Sequence, residues 1–168
     1  MLEDHLALYF TGFSRFASEV AQEQLKVTPH KRAELTAMLQ LVDEAQVVIT
    51  DPSRPLAEFG TLLHKSWQLK RSLTSKISTL EIDRLYEAGL DAGALGGKLL
   101  GAGGGGFMLF FVPPERRQAL RRRLEKFLCV PFRFATRGSH VVVYEPEDAY
   151  DDSLEQERRM VYSASGAE

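Results

Sequence analysis

The chain has 168 residues, a formal net charge of −2, 44% hydrophobic residues and a single cysteine, Cys129, which suits one folded domain, or one and a small part. One cysteine excludes a disulfide framework and a cysteine-based zinc cluster and fits a reducing compartment. No apolar run approaches the roughly 20 residues of a membrane span, and Met1-Leu2-Glu3-Asp4 lacks the basic start of a signal peptide, so the expected location is the cytoplasm. Residues 145–168 hold eight acids against Arg158 and Arg159 and read as a solvated, partly disordered tail. Residues 1–144 are left at +4, too balanced for a nucleic-acid stripe but suited to a small phosphorylated ligand.

In chain order, Leu6–Phe10 is a short apolar and aromatic run closed by Thr11-Gly12, which predicts a strand. Phe13, Phe16, Ala17, Val20 and Ala21 recur at helical spacing, so a helix follows to about Lys26, and Thr28-Pro29 interrupts it. Leu35, Met38, Leu39, Val42, Ala45 and Ile49 set a second amphipathic helix, ended by Thr50-Asp51-Pro52-Ser53. Pro55 suits the first turn of a third helix, with Leu56, Phe59, Leu63 and Trp67 on its apolar side. Ser78-Thr79-Leu80-Glu81 has capping-box spacing and opens a fourth, for which Gly93 is the C-terminal cap.

The periodicity then changes to that of strands. Lys98-Leu99-Leu100 and Phe107-Met108-Leu109-Phe110-Phe111-Val112 flank a glycine-rich stretch, and the second run, without polar alternation, predicts a central strand buried on both faces. Pro113-Pro114 starts a helix with Leu120, Leu124, Phe127 and Leu128 on one face. Its arginines (Arg116, Arg117, Arg121, Arg122 and Arg123) share it with Glu115 and Glu125 and read as a solvated face. Phe132-Arg133-Phe134 and His140-Val141-Val142-Val143-Tyr144 close the fold as one bent strand or two short ones. Strands joined by a short loop pair antiparallel, so the expected class is α+β, a small antiparallel sheet with several covering helices.

Seven of the 13 glycines fall between Gly96 and Gly106. A Walker A loop needs Ser or Thr after Gly-Lys, and Gly97-Lys98 is followed by Leu99. Gly101-x-Gly103-x-x-Gly106 matches a dinucleotide fingerprint, but a strand follows where that motif requires a helix N-terminus. The downstream motifs of a protein kinase are missing. A flexible hairpin is the plain alternative, yet ordering so many glycines costs backbone entropy, and both flanks are strongly apolar. Side-chain-free backbone in a rigid frame serves where another backbone or a phosphate approaches closely.

The run Lys98-Leu99-Leu100-Gly101-Ala102-Gly103-Gly104-Gly105-Gly106-Phe107 resembles the C-terminal motif of the GHMP kinases, which phosphorylate small-molecule hydroxyls or phosphates with ATP. Tyr9-Phe10-Thr11-Gly12-Phe13-Ser14-Arg15, Leu63-His64-Lys65-Ser66-Trp67-Gln68-Leu69-Lys70-Arg71 and Gly93-Ala94-Leu95-Gly96-Gly97-Lys98 narrow the likeness to kinases of D-glycero-D-manno-heptose 7-phosphate, with fucose kinase-like enzymes close behind. The resemblance implies a ferredoxin-like GHMP kinase C-terminal domain over residues 1–144, one wall of a two-domain cleft. It implies ATP and magnesium as cofactors of the complete enzyme, none bound by this chain alone. The partner it implies is an N-terminal domain carrying the phosphate loop, which this sequence does not contain; homodimerisation is a further expectation, and nucleic acid and membrane are not expected partners.

Site residues follow. Gly101, Ala102, Gly103, Gly104, Gly105 and Gly106 are expected to line the nucleotide-phosphate side of the cleft. Lys98 either offers an ammonium to a phosphate or is simply solvated. Arg15 either grips the substrate's own phosphate or pairs with Glu19 at i+4. Trp67 and Lys70 either sit beside a sugar or, for the indole, belong to the core. No histidine is assigned to catalysis, and no metal ligands are expected, the acidic tail lacking the pattern of an EF-hand loop. Two functions stand open: half of a sugar kinase, inactive alone, or a stand-alone ligand-binding or regulatory module.

Overall fold

In the computed structural model, residues 1–12, 17–135 and 137–144 are described. Residues Met1–Phe134 form one compact unit. Four strands, β1 (Leu6–Phe10), β2 (Gly96–Leu99), β3 (Phe107–Phe111) and β4 (Leu128–Val130), make one sheet in the order β2-β3-β1-β4. Every neighbouring pair is antiparallel. Helices α1 (Ala17–Val27), α2 (Arg32–Thr50), α3 (Ala57–Arg71) and α4 (Leu80–Asp91) lie between β1 and β2, and α5 (Arg117–Arg123) between β3 and β4. This is the split β-α-β arrangement of ferredoxin-like folds, with four helices where the simplest version has one. The α+β expectation holds.

The register explains the core. Cross-strand partners place Ala7, Tyr9, Leu99, Met108 and Phe110 on one face of the sheet, and all five are buried. On the opposite face Leu8, Phe10, Lys98 and Leu109 are half-buried, while Phe107 and Leu128 are exposed. Helix α4 covers the buried face, with Tyr86 stacked on Phe110 at 6.2 Å between ring centroids. Leu120 and Leu124 close the same core from the α5 side. Helix α3 runs against β2, and α2 packs on α3. That approach depends on Gly96, where an added Cβ would collide with the Gly60 carbonyl oxygen and sit 2.8 Å from the His64 amide nitrogen.

The predicted ends need three corrections. The cap of α4 is Thr79, not Ser78: its hydroxyl accepts the Ile82 amide at 3.3 Å, and the Ser78 hydroxyl turns to Asp83 at 2.5 Å. At the other end of α4, Gly93 is the left-handed cap expected, with Gly93 N–H donating to Leu90 O and Ala94 N–H to Gly89 O. The fifth helix ends at Arg123 instead of running to Leu128. Leu128–Val130 pairs with the open edge of β1, and cross-strand pairing prevails over another helical turn. Phe132-Arg133-Phe134 forms no strand, because Pro131 cannot donate to the ladder and the Phe134 amide turns to Glu3 at 2.7 Å.

In the second unit, Ala135–Glu168, Val141, Val142, Val143 and Tyr144 are exposed and form no strand among the described residues. The acidic tail lies outside the described residues.

Gly96→Ala is expected to lower the unfolding free energy by about 3 kcal/mol through overpacking against α3 backbone. Gly138→Ala, where no atom lies within 4 Å of the added carbon, should stay within about 0.5 kcal/mol. Urea midpoints at constant m-value distinguish the two.

Candidate functional site

The glycine loop closes the β2–β3 hairpin, with the Leu100 amide donating to the Phe107 carbonyl at 2.8 Å. Four segments hold it. From the end of β1, Thr11 gives both its amide (2.9 Å) and its hydroxyl (3.0 Å) to the Gly106 carbonyl. From α1, the Gln24 side-chain amide donates to the Ala102 carbonyl at 2.6 Å. From the α3–α4 connection, the Ile77 carbonyl accepts the Gly104 amide at 2.8 Å. From α3, the Lys70 ammonium donates to the carbonyls of Leu99 (3.4 Å) and Gly101.

Gly101, Gly103, Gly104 and Gly106 all have positive φ, 76°, 122°, 75° and 102°. Gly103 is doubly constrained, since a Cβ there would also lie 2.9 Å from Ile77 Cα. Three of the anchors take carbonyls, those of Leu99, Gly101, Ala102 and Gly106, and Ile77 takes the Gly104 amide. Among the described residues, the amides of Ala102, Gly103 and Gly105 donate to no acceptor, although Gly103 is buried. Backbone donors held rigid and left without a partner are a cradle for an anion.

The local charge points the same way. Lys70 is 8% exposed, and burial together with the neighbouring Lys98 lowers its pKa from the ordinary 10.5 to about 8. Lys98, half-buried on β2, donates to the Ser66 hydroxyl at 3.1 Å, and burial lowers its pKa as well. Among the described residues neither lysine pairs with a carboxylate. The Lys70 ammonium thus sits at the base of the loop with Lys98 near it, and among the described residues no carboxylate balances either.

The residues singled out in the sequence divide accordingly. The loop, Lys70 and Lys98 come together. Trp67 does not join them: its ring is 0% exposed, packed against Tyr86 at 6.2 Å, with the Arg71 guanidinium 5.9 Å from its centroid. The sugar-facing reading of that indole therefore gives way to a core residue. Arg15 lies outside the described residues. Gln24 and Ile77 carried no signal in the sequence and Thr11 none of a contact with the loop, because each meets the loop from a distant segment; Gln24 and Ala102 are 78 positions apart.

Among the described residues no three or more His, Cys, Asp or Glu gather as a metal site, and no helix is long and apolar enough to cross a membrane. Two recesses lie away from the loop. One, about 770 Å³ between β1, α5 and β4, includes Tyr9 and Cys129; burial and the Cys129 thiol push the Tyr9 phenol up to about 12. The other, about 1070 Å³, lies between α4 and α5.

Residues 49–128 match the family described as GHMP kinases C terminal. Over 105 residues the chain is 38% identical to D-glycero-alpha-D-manno-heptose 7-phosphate kinase of Campylobacter jejuni, a match covering 61% of this chain and 30% of that protein. The mevalonate kinase of Methanococcus jannaschii superposes with a TM-score of 0.64 at 26% identity, over 74% of this chain and 38% of that one. A D-glycero-D-manno-heptose 1-phosphate kinase from Bacteroides thetaiotaomicron shares the fold, with a TM-score of 0.50 at 24% identity over 86% and 37%. The chain therefore spans about a third of the length of these relatives.

Lys70 gives a pH signature. Between about 8 and 10.5 the unfolded chain holds a proton that the folded chain has released, so the contribution of Lys70 to stability rises with pH across that window. Below it, the burden of the buried ammonium is present in full. Lys70→Met is expected to flatten the rise, as read from urea midpoints at intervals across the same range.

Proposed function

We propose, from the match of residues 49–128 to the GHMP kinases C terminal family and the 38% identity to the Campylobacter kinase, that this chain forms the C-terminal half of an ATP-dependent sugar kinase. The acceptor is a sugar phosphate such as D-glycero-D-manno-heptose 7-phosphate, phosphorylated at its anomeric hydroxyl. The observation that carries this reading is the glycine loop, with the carbonyls of Gly101, Ala102 and Gly106 engaged and the amides of Ala102, Gly103 and Gly105 without an acceptor among the described residues. A phosphate fits this donor set, which is rigid, electropositive and free of side chains. The heptose assignment is supported by the 38% identity to the Campylobacter kinase.

In phosphoryl transfer, catalysis is mostly positioning and stabilisation of charge on the transferred group. ATP, when bound, supplies that group. The loop amides orient an oxyanion and resist its displacement, and Lys98 adds positive charge beside them. Arg15 is assigned to the substrate's own phosphate. The donor set for magnesium belongs, on this reading, to the remainder of the enzyme, since the described residues gather no carboxylate cluster. The surface on this chain is thus one wall of a cleft, completed by an N-terminal kinase domain in the same or another chain.

Two assays test the reading. Alone, the 168-residue chain should transfer no measurable phosphate from ATP to heptose 7-phosphate; co-expressed with an N-terminal GHMP kinase domain, it should do so. Gly103→Ala in the assembled enzyme should lower kcat/KM by at least about 100-fold, roughly 3 kcal/mol of transition-state stabilisation. Steady turnover by the chain alone, or assembly without transfer to any sugar phosphate, would sink the proposal. Transfer to fucose in preference to the heptose phosphate would move the assignment to the fucose kinase-like branch.

A further inference from the structure

We propose that Lys70 is a positioning residue, whose ammonium fills the notch between the carbonyls of Leu99 and Gly101 and so fixes the glycine loop in the shape that leaves its amides free for an anion. The nature of that anion, a nucleotide or sugar phosphate, rests on the kinase reading above. The role of Lys70 in shaping the loop does not.

The geometry is specific. Leu100 is tied to the opposite strand through its amide, which donates to the Phe107 carbonyl. The carbonyls on either side of it, those of Leu99 and Gly101, both turn to one point, where the Lys70 Nζ sits. Two carbonyl dipoles aimed at one point repel each other, and a group with several donors and a positive charge removes that repulsion. Gly101, at φ 76°, has the backbone conformation by which the chain leaves β2 with its carbonyl still directed inward.

Stability does not explain a lysine here. At 8% exposure and with no carboxylate partner among the described residues, an ammonium is an unfavourable occupant of the α3–β2 seam, and Lys98 adds repulsion. Nor does direct substrate contact account for it, since the ammonium already donates to two carbonyls and is nearly enclosed. Imposing a shape on the loop accounts for both the charge and its burial. The loop's other clasps, Thr11, Gln24 and Ile77, meet it at Gly106, Ala102 and Gly104, so among the described residues Lys70 is the side chain that holds the turn out of β2.

The test compares the 168-residue chain with Lys70→Met, which keeps the length and apolar stem, and with Lys70→Ala, supplemented or not with n-propylammonium. Amide hydrogen exchange is read for residues 100–106 and for α4, and inorganic pyrophosphate binding by calorimetry. The expected result for Lys70→Met is exchange at least about 10-fold faster in the loop, α4 changed less than twofold, and pyrophosphate affinity at least 10-fold weaker. The n-propylammonium ion should restore both readouts in Lys70→Ala. Unchanged loop exchange, equal acceleration in α4, or a loosened loop with undiminished pyrophosphate binding would each overturn the proposal. If the unsubstituted chain binds no pyrophosphate while Lys70→Met still loosens the loop alone, the kinase reading loses its support and the shaping role stands.

Discussion

A loop built of glycines has no side chains with which to hold itself, so its conformation is imposed from outside. Here Thr11, Gln24, Lys70 and Ile77 impose it, and the fold exists in a form that lets them. Placing β1 next to β3 carries the end of β1 to the end of the loop, which is why Thr11 reaches Gly106. Running four helices between β1 and β2 brings α1, α3 and the α3–α4 connection round to the same corner. The loss of backbone freedom on ordering such a loop, about 1–2 kcal/mol per residue, is offset by hydrogen bonds that converge from the whole unit. The loop is consequently only as rigid as the packing behind it.

That dependence clarifies the two lysines. A buried cation beside a second cation weakens the fold locally, and the same arrangement raises the electrostatic attraction of the corner for an anion. The conflict between stability and site is confined to the α3–β2 seam, where Gly96 lets the two elements approach closely enough for Lys70 to reach the loop. On the covered side the core, with Trp67, Tyr86 and Phe110 among its large side chains, supplies the burial that tolerates the conflict.

How much of this the sequence disclosed depends on the range of each interaction. Period and punctuation showed β1, the helices before β2 and the β2–β3 hairpin, because those are set by residues a few positions apart. Gly93 was legible as a cap for the same reason. Ser78 and Thr79 offered two equivalent hydroxyls, and only the helix's three-dimensional start decides between them. The fifth helix ran too far in the sequence reading because Leu124, Phe127 and Leu128 fit one helical face as well as they fit a turn and a strand; the open edge of β1 chose the strand. At the site, the glycines and both lysines were visible as types, whereas the clasps on the loop were not, since they join segments with no local pattern in common. Trp67 shows the converse: its neighbours Lys70 and Arg71 suggested a ligand surface, and packing put the indole inside.

The described loop offers an anion rigid backbone donors and nearby positive charge. Rigid amides and positive charge position an oxyanion and stabilise charge upon it. In-line transfer of a phosphoryl group in general also needs a second reactant held within a few ångströms of the first and protected from water. Beside the loop, Leu100 and Phe107 expose apolar surface at 39% each, so the corner combines apolar flanks with a few convergent polar groups, the composition of a small-molecule site open on one side. The relatives are about three times as long as the matched part. A loop whose shape is fixed before a ligand arrives presents donors already in place, so the ordering entropy is met on folding and not on binding.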